Sequence, residues 1–251
     1  MTRRVAVALA ILVLGALPAL AATITVPGDQ PTIQDAITAA SAGDIIAVDA
    51  GTYQEQLYID KTVDLVGAGA GVCTIEAPDA VDRSTYTVTQ WNGAVRTVDA
   101  VVGVNGAGTV NISGFTVDGR DTGPDNFYGI HYFDTSGAIT ACTVSGITYP
   151  AAPGAQRVVS IVAAHSDGTP IVVDVSGNQL PDFQKGGILV MGPDCSFTVN
   201  GNTVMDVATG DIAGNGIQLA YGASGSPPMN SGPMMTRGRI GLLAAVAQAN
   251  G

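Results

Sequence analysis

The chain is poor in several residue types, and each shortage removes a class of function. Its 251 residues include three cysteines, Cys73, Cys142 and Cys195, whose odd number and wide spacing suit neither a metal cluster nor a small disulfide framework. Only 12% of the residues are charged, and the formal net charge of −11 should repel nucleic acid and anionic lipid. Aromatic residues make up only 5%, whereas glycine is abundant (33 residues), which favours strands and tight turns over helices.

Residues 1–21 match a secretory signal peptide. Arg3 and Arg4 form a basic start, residues 5–17 are an apolar run too short to span a bilayer comfortably, and Ala19-Leu20-Ala21 is a cleavage motif. We therefore expect a secreted, periplasmic or extracellular protein without stable membrane insertion after cleavage. Loss of the two arginines takes the formal charge from −11 to −13, because residues 1–21 contain no acid. This acidity either serves solubility or forms a surface for divalent cations or cationic glycans.

An internal repeat predicts the fold. Four stretches of strand formers share a turn and a central position, occupied by Phe115, Cys142, Asn178 and Asn202, at steps of 27, 36 and 24 residues. A second strand recurs after the first. Ile130 and Ile217 each lie 18 residues after an Ile or Val of the repeated stretch that precedes them, and Ile188 lies 13 residues after the corresponding Val. Periods of roughly 20–40 residues with several short strands each are typical of solenoids.

Stacked coils explain the residue types at these positions. Parallel strands of successive coils lie about 4.8 Å apart, so each coil repeats its inward side chains at the same place. Asn178 and Asn202 should therefore stack as a polar ladder that satisfies backbone groups, with Phe115 and Cys142 as its apolar members. Export would permit one disulfide, but the three cysteines fit better as buried free thiols.

These repeats resemble the right-handed parallel β-helix proteins of the pectin-lyase-like superfamily, especially bacterial secreted ones. The segments Gln184–Ile188, Val199–Val204 and Asn215–Gln218 carry the resemblance, which covers roughly residues 23–225. The resemblance implies an all-β, right-handed parallel β-helix over residues 22–225, but it says little about the activity or the ligand. Residues 226–251 break the repeat and contain no acid, which leaves open a C-terminal cap helix or a truncated or off-frame end.

The N-terminal segment predicts a short capping helix over the first coil. Residues 31–40 suit a helix capped by Thr32 with Asp35 at the capping-box position. One face of this helix would be apolar and would cover the open strand edges of the solenoid, with side chains of Ile33, Ala36, Ile37 and Ala40.

The stretch Gly51–Glu55 reads G-x-Y-x-E and resembles the first signature of pectin methylesterases. We expect Gly51 to form a corner, Tyr53 to pack over the cap and Glu55 to pair locally. The catalytic segments that such enzymes carry downstream are missing, and so are the motifs of polygalacturonases. His131 and His165 are isolated and are interpreted as structural or solvated.

Candidate site residues follow the repeat. Loops that join one repeated strand to the next Gly-Ile strand should stack along one edge of the solenoid, with further acids at Asp206 and Asp211. We predict weak calcium binding by Asp118, Asp121 and Asp125, because calcium prefers hard oxygen ligands. For a sugar chain we predict contacts with Tyr149, Phe183 and Asp182, and the candidate catalytic cations are Arg120, Arg157 and Lys185. The alternative is a solvated acidic row.

The sequence is compatible with three functions. The leading one is an exported module without catalytic motifs that engages extracellular polysaccharide or the cell surface. The second is a calcium-dependent polysaccharide lyase or related carbohydrate-active enzyme. The third is a surface adhesin or stalk.

Overall fold

The chain winds through three parallel β-sheets in succession, and each complete turn from β2 to β20 contributes one strand to each sheet. A computed structural model describes residues 20–80, 86–90, 92–151, 157–166, 169–205, 214–226 and 243–246. The signal-peptide prediction lies almost wholly outside these residues, as do Asp206 and Asp211.

Strands are numbered here in chain order. The first sheet contains, from edge to edge, β1 (Thr23–Val26), β2 (Asp44–Val48), β5 (Val63–Gly67), β9 (Thr109–Ser113), β12 (Ser136–Thr140), β15 (Ile171–Ser176), β18 (Cys195–Asn200) and β21 (Ser224–Ser226). The second contains β3 (Gly51–Gln54), β6 (Cys73–Glu76), β10 (Thr116–Asp118), β13 (Thr143–Ser145), β16 (Gln179–Leu180) and β19 (Thr203–Val204). The third contains β4 (Leu57–Ile59), β8 (Val95–Asn105), β11 (Phe127–Phe133), β14 (Val159–Ala164), β17 (Gly186–Met191), β20 (Asn215–Ala220) and β22 (Leu243–Val246).

Register between coils keeps the same side chains pointing inward. In the first sheet one column is formed by Leu65, Ile112, Ile139, Val175 and Val199, each paired with the next and each at most 1% exposed. Inward and outward positions alternate along these strands, and only the inward side chains are fully buried, which explains why β-branched and leucine side chains dominate the inward positions. The column also shows that the stretch around Leu65 is an earlier copy of the repeat.

The third sheet confirms the phase of the second repeat. Ile130, Ile161, Ile188 and Ile217 pair in register, and all of them are buried. Ile161 was not recognised in the sequence, because Ser160 stands where the other coils have glycine. Crossovers between parallel strands are right-handed in nearly all proteins, and the fold is the predicted right-handed parallel β-helix.

The asparagine ladder is present at the corner between the first and second sheets. Asn178 Oδ1 accepts from the backbone N–H of Cys142 at 3.0 Å, and Asn202 Oδ1 accepts from that of Asn178 at 2.9 Å. Each amide also donates to a carbonyl of the preceding coil, Asn178 to Ile139 (2.8 Å) and Asn202 to Val175 (2.7 Å). The ladder therefore satisfies corner groups that would otherwise be buried without partners.

The cysteines are buried and free, as the sequence favoured. Burial raises the pKa of Cys142 and of Cys195 to about 11. Thiols with such pKa values stay protonated at neutral pH, so these two side chains fill space rather than react.

The helix α1 (Ile33–Ala39) confirms the predicted N-terminal cap. Thr32 Oγ1 accepts from the backbone N–H of Asp35 at 3.0 Å, and the apolar face, Ile33, Ala36 and Ile37, is buried. Within the described residues no helix is long and apolar enough to cross a membrane. Residues 243–246, for which a cap helix was one alternative, form strand β22 instead.

The prediction that Glu55 pairs locally was wrong. Its carboxylate accepts from the backbone N–H groups of Ile33 (3.0 Å) and Gln34 (2.9 Å), 22 and 21 residues earlier. The first turn of a helix leaves these N–H groups without partners inside the helix, and the carboxylate accepts from them. Its negative charge also interacts favourably with the positive N-terminal end of the helix dipole. Tyr53 donates to the carbonyl of Asp49 at 3.1 Å. The G-x-Y-x-E stretch therefore fastens the capping helix through Glu55.

Candidate functional site along the loop edge

Loops that leave the second sheet and enter the third lie together, as the repeat predicted. We call residues 119–126, 146–158 and 181–185, in their described parts, the loop edge. Thr148 Oγ1 donates to Asp121 Oδ1 at 3.1 Å, which joins the first two loops. The backbone N–H of Gly146 donates to Asp182 Oδ1 at 2.8 Å, which joins the second and third loops. Successive coils thus hold one another's loops in place.

A tight turn shapes the first loop. Arg120 (φ 57°) and Asp121 (φ 54°) adopt left-handed backbone conformations, which L-residues other than glycine adopt at some cost. Asp118 Oδ1 accepts from the backbone N–H of Arg120 at 2.7 Å and so stabilises the turn. Both Arg120 and Asp121 are exposed, so the turn presents one cation and one carboxylate to solvent.

Arg120 forms an ion pair with Asp79. Its Nη1 lies 2.6 Å from Asp79 Oδ1 and 3.3 Å from the carbonyl of Ala77. The hydrogen bond with Asp79 raises the pKa of Arg120 above its already high ordinary value. A guanidinium held more firmly in its charged form is a poorer proton acceptor, so the geometry argues against Arg120 as a catalytic base.

Asp182 lies in a negative field. Partial burial raises the pKa of this carboxyl, and Asp121 and Asp118 raise it further, whereas the hydrogen bond from Gly146 lowers it. Repulsion from neighbouring carboxylates and loss of hydration are the ordinary causes of such a shift. Asp182 is therefore tied to the backbone of the previous coil, and its predicted role in contacting a sugar stays a prediction.

Carboxylates predicted to bind calcium have separate neighbours. Asp118 caps the backbone of Arg120, Asp121 accepts from Thr148, and Asp125 Oδ1 accepts from the backbone N–H of Asn126 at 3.0 Å. The described parts of the chain contain no group of three or more His, Cys, Asp or Glu side chains that could hold a metal ion. Calcium binding by Asp118, Asp121 and Asp125 thus stays a prediction without a preformed ligand set.

Of the two aromatic residues predicted to contact a sugar, Phe183 is buried, and the prediction for it was wrong. Its side chain is only 2% exposed, so it cannot stack against a sugar in solvent. Tyr149 is half-buried and packs against the core, while its backbone N–H donates to Gln184 Oε1 at 2.5 Å. A loop in a solenoid turns some of its side chains inward, and the spacing of the repeat does not reveal which ones.

Arg157 and Lys185 border the same loops. Arg157 is exposed, and its Nη1 donates to Asn126 Oδ1 at 3.3 Å, which links the second loop to the first. Lys185 is half-buried, and its backbone N–H donates to the carbonyl of Val158 at 3.2 Å. The structure thus brings Arg120, Arg157, Asp121 and Asp182 to one edge.

An aromatic cluster on the outer face of the third sheet was not foreseen. The antiparallel hairpin of β7 (Tyr86–Thr89) and β8 folds over this face, and Tyr86 packs with Tyr58 and His131 at ring-centroid distances of 5.3 and 5.7 Å. Tyr128 packs on His131 at 5.0 Å. The aromatic-rich sequence of β11 was a signal of this cluster, whereas the hairpin interrupts the repeat and has no second copy.

Both histidines are structural, which confirms one of the two interpretations. His131 is 4% exposed, and its Nδ1 lies 2.6 Å from the hydroxyl of Tyr86. His165 is 1% exposed, with Nδ1 at 3.0 Å from Asp134 Oδ1. Burial lowers the pKa of His131 to about 3, so this imidazole is neutral in the folded protein near pH 7.

No protein-family profile and no curated protein sequence matches this chain. Among solved structures, a carrot pectin methylesterase is 12% identical (TM-score 0.42; 83% of this chain and 65% of that one), and PemA of Erwinia chrysanthemi is 14% identical (TM-score 0.42; 83% and 61%). A pectin methylesterase mutant in complex with a hexasaccharide is 15% identical (TM-score 0.40; 84% and 68%).

The chain covers less than two thirds of the length of the carrot and Erwinia enzymes. At these identities and TM-scores, the likeness concerns architecture alone. The chain's own three parallel sheets make it a right-handed parallel β-helix, the architecture of the pectin-lyase-like superfamily.

Proposed function

We propose that this protein is an exported β-helix module that binds extracellular polysaccharide along the loop edge without transforming it. One observation supports this most: side chains from three successive coils meet on one edge, through the Asp121–Thr148 and Gly146–Asp182 contacts. A row of hydrogen-bonding groups repeated at the coil spacing of about 4.8 Å suits an extended sugar chain. Carboxylates and guanidinium groups are strong partners for sugar hydroxyls.

Asp121 and Arg157 would carry this binding. Both are exposed, and each already reaches the neighbouring loop, at Thr148 and Asn126 respectively. Beside the loop edge, Arg120 stays paired with the exposed Asp79 and is left out of the proposed binding set. Export follows from the predicted signal peptide at residues 1–21.

Binding of soluble glycans tests the proposal directly. A panel of neutral, anionic and amino-sugar oligosaccharides is titrated calorimetrically into the purified chain and into Asp121→Ala and Arg157→Ala variants. A hydrogen bond that involves a charged group contributes about 1.5–3 kcal/mol, so each variant should weaken binding about tenfold or more. Asp60→Ala removes an exposed carboxylate in the turn between β4 and β5, away from the loop edge, and serves as the matched control.

A second assay separates binding from catalysis. Each glycan is incubated with the chain, with and without millimolar calcium, and unsaturated uronide products are measured. The proposal expects none, whereas product that depends on calcium and on Arg157 or Lys185 would establish the lyase alternative. Equal affinity of the wild-type chain and both loop variants for every glycan would remove the loop edge as the binding site.

A further inference from the structure

Each sheet ends in an edge strand at the N-terminal end of the solenoid, and the chain protects two of these three edges. β1 lies at the edge of the first sheet, β3 at that of the second and β4 at that of the third. An edge strand directs every second pair of N–H and C=O groups away from its sheet, and such groups readily pair with another strand. What lies beside each edge strand therefore shows where a further strand can be added.

A turn and a side chain close the first and third edges. The outward N–H of Thr25 in β1 donates to Asp29 Oδ2 at 2.8 Å, and the carbonyl of Thr25 accepts from the backbone N–H of Asp29 at 2.8 Å. The outward N–H of Tyr58 in β4 donates to Gln34 Oε1 at 2.8 Å, and Gln34 Nε2 donates to the carbonyl of Tyr58 at 3.2 Å. Asp29 and Gln34 thus make the hydrogen bonds that a neighbouring strand would make.

The edge of the second sheet has no such protection. The backbone N–H of Gly51 in β3 donates to the carbonyl of Val72 in the next coil at 2.9 Å and so points into the sheet. Because directions alternate along a strand, the N–H and C=O groups of Thr52 and Gln54 point away from it. Both residues are exposed, and no residue in the described part of the chain bonds to these outward groups. We call the outward backbone groups of Thr52 and Gln54 the open edge.

The surroundings of the open edge are acidic. Residues 20–61 contain six acids and one lysine, a formal charge of −5, and carbonyl groups at the end of α1 bind that lysine. Glu76 lies beside Gln54 in the register of β3 and β6, and Gln54 Nε2 donates to Asp79 Oδ1 at 3.4 Å. Arg120 compensates Asp79. A strand that pairs with the open edge should therefore carry positive charge.

The chain itself contains a segment with matching properties. Residues 227–242 connect β21 of the first sheet with β22 of the third, at the opposite end of the solenoid, and they contain Arg237, Arg239 and no acid. Residues 234–242, which we call the basic segment, also contain no proline, so each of them has a backbone N–H for strand pairing. In an extended chain Arg237 and Arg239 lie on the same face, because side chains alternate.

The basic segment cannot reach the open edge of its own molecule. Six coil spacings of about 4.8 Å separate β2, the strand before β3, from β21 in the first sheet, a distance of about 29 Å. The 16 residues from 227 to 242 are held at both ends by β21 and β22. They can therefore extend outward by about 8 residues, or about 27 Å, which leaves none to lie along β3. Only another copy of the chain can bring this segment to the open edge.

We propose that the open edge pairs with the basic segment of a second copy, so that molecules of this protein associate head to tail. Addition of a strand to an exposed sheet edge is a general mode of recognition. The two surfaces differ and lie at opposite ends, so each added molecule brings one new open edge or one new basic segment. Association is therefore open-ended. The inference is independent of the proposed function, because neither surface belongs to the loop edge.

Sedimentation velocity of the purified chain over a range of protein and salt concentrations tests this. Species larger than a dimer should increase with protein concentration and decrease with salt, because salt screens the attraction between the arginines and the acidic surroundings of the open edge. The edge variant Thr52→Pro removes one outward N–H, a change that edge strands tolerate, and should weaken association about tenfold. Its matched control, Thr52→Ala, keeps this N–H and should associate as wild type does.

Mixing two variants tests whether the contact runs head to tail. The segment variant combines Arg237→Glu and Arg239→Glu. At concentrations where wild type assembles, the edge variant and the segment variant should each remain monomeric. Their mixture should form a one-to-one dimer and nothing larger, because only the intact edge of one and the intact segment of the other can pair. A synthetic peptide of residues 234–242 should dissociate the wild-type assembly, and the same peptide with both arginines replaced by glutamate should not.

Three results would overturn the inference. The first is a wild-type chain that stays monomeric at every concentration, even at low salt. The second is an equal loss of association in Thr52→Ala and Thr52→Pro, which would assign the contact to the side chain. The third is a mixture of edge and segment variants that remains monomeric although both melt as wild type does. If Thr52→Pro does not fold, the peptide decides, since an assembly that it leaves intact contradicts the pairing.

Discussion

Acid should destabilise this protein through one buried imidazole. His131 has a pKa of about 3 in the folded state, against its ordinary value of 6.5 in the unfolded chain. A group with a depressed folded-state pKa contributes its full stability above the unfolded value, and this contribution is lost as the pH falls from 6.5 towards 3. At pH 5 the imidazole is protonated in the unfolded chain but not in the folded protein. Because this pH lies about 1.5 units below the pKa of the unfolded state, the free energy of unfolding falls by about 2 kcal/mol.

Urea unfolding at pH 7.5 and pH 5.0 measures this loss, and His131→Gln isolates it from the carboxylates. Burial raises the pKa of Tyr86 well above 10, so its hydroxyl stays protonated and shares a hydrogen bond of 2.6 Å with His131 Nδ1. Glutamine offers both a donor and an acceptor for this hydrogen bond but does not titrate. Between the two pH values, wild type should lose about 2 kcal/mol more than His131→Gln. An equal loss in both proteins would refute the reasoning, since it would mean that the imidazole is solvated or paired in the fold.

Three further substitutions test the contacts of the coils by chemical denaturation. Asn178→Leu should lower the free energy of unfolding by about 1–3 kcal/mol, because it leaves the backbone N–H of Cys142 buried without an acceptor; an unchanged value would mean that the corner is hydrated. Glu55→Ala should cost about 1 kcal/mol by uncapping helix α1, more than Glu55→Gln does. Ser160→Ala should be neutral or stabilise by up to about 1 kcal/mol, since the buried Ser160 hydroxyl makes no hydrogen bond within the described residues; a clear loss would reveal a partner.

The stacked fold was predictable because repetition in the sequence becomes repetition in space. Asn178 and Asn202 lie 24 residues apart in the chain, yet they are neighbours, since one coil separates them. The inward Ile positions followed from the same phase. The clustering of Asp121, Thr148 and Asp182 on one edge followed too, because coils in register align the loops that leave the same strand.

What the sequence did not reveal depends on contacts outside the repeat. Glu55 reaches donors 21 and 22 residues away in a helix that no other coil contains. Phe183 turns inward because of the local course of its loop, and the spacing of the strands does not predict which side chains of a loop are buried. The hairpin that places Tyr86 against His131 is inserted within a single coil, so no second copy marked it.

The loop edge itself, on which the functional proposal rests, can be tested most directly by cross-linking. A variant that combines Asp121→Cys and Thr148→Cys places two thiols where the native side chains lie 3.1 Å apart, 27 residues apart in sequence. The three native cysteines are buried, so mild oxidation should report on the new pair. We expect a reducible intramolecular disulfide in this variant and none in a control that pairs Asp121→Cys with the exposed Thr198→Cys of the first sheet. Free thiols in both variants after oxidation, with the fold intact, would contradict the stacking of the loops and with it the proposed binding site.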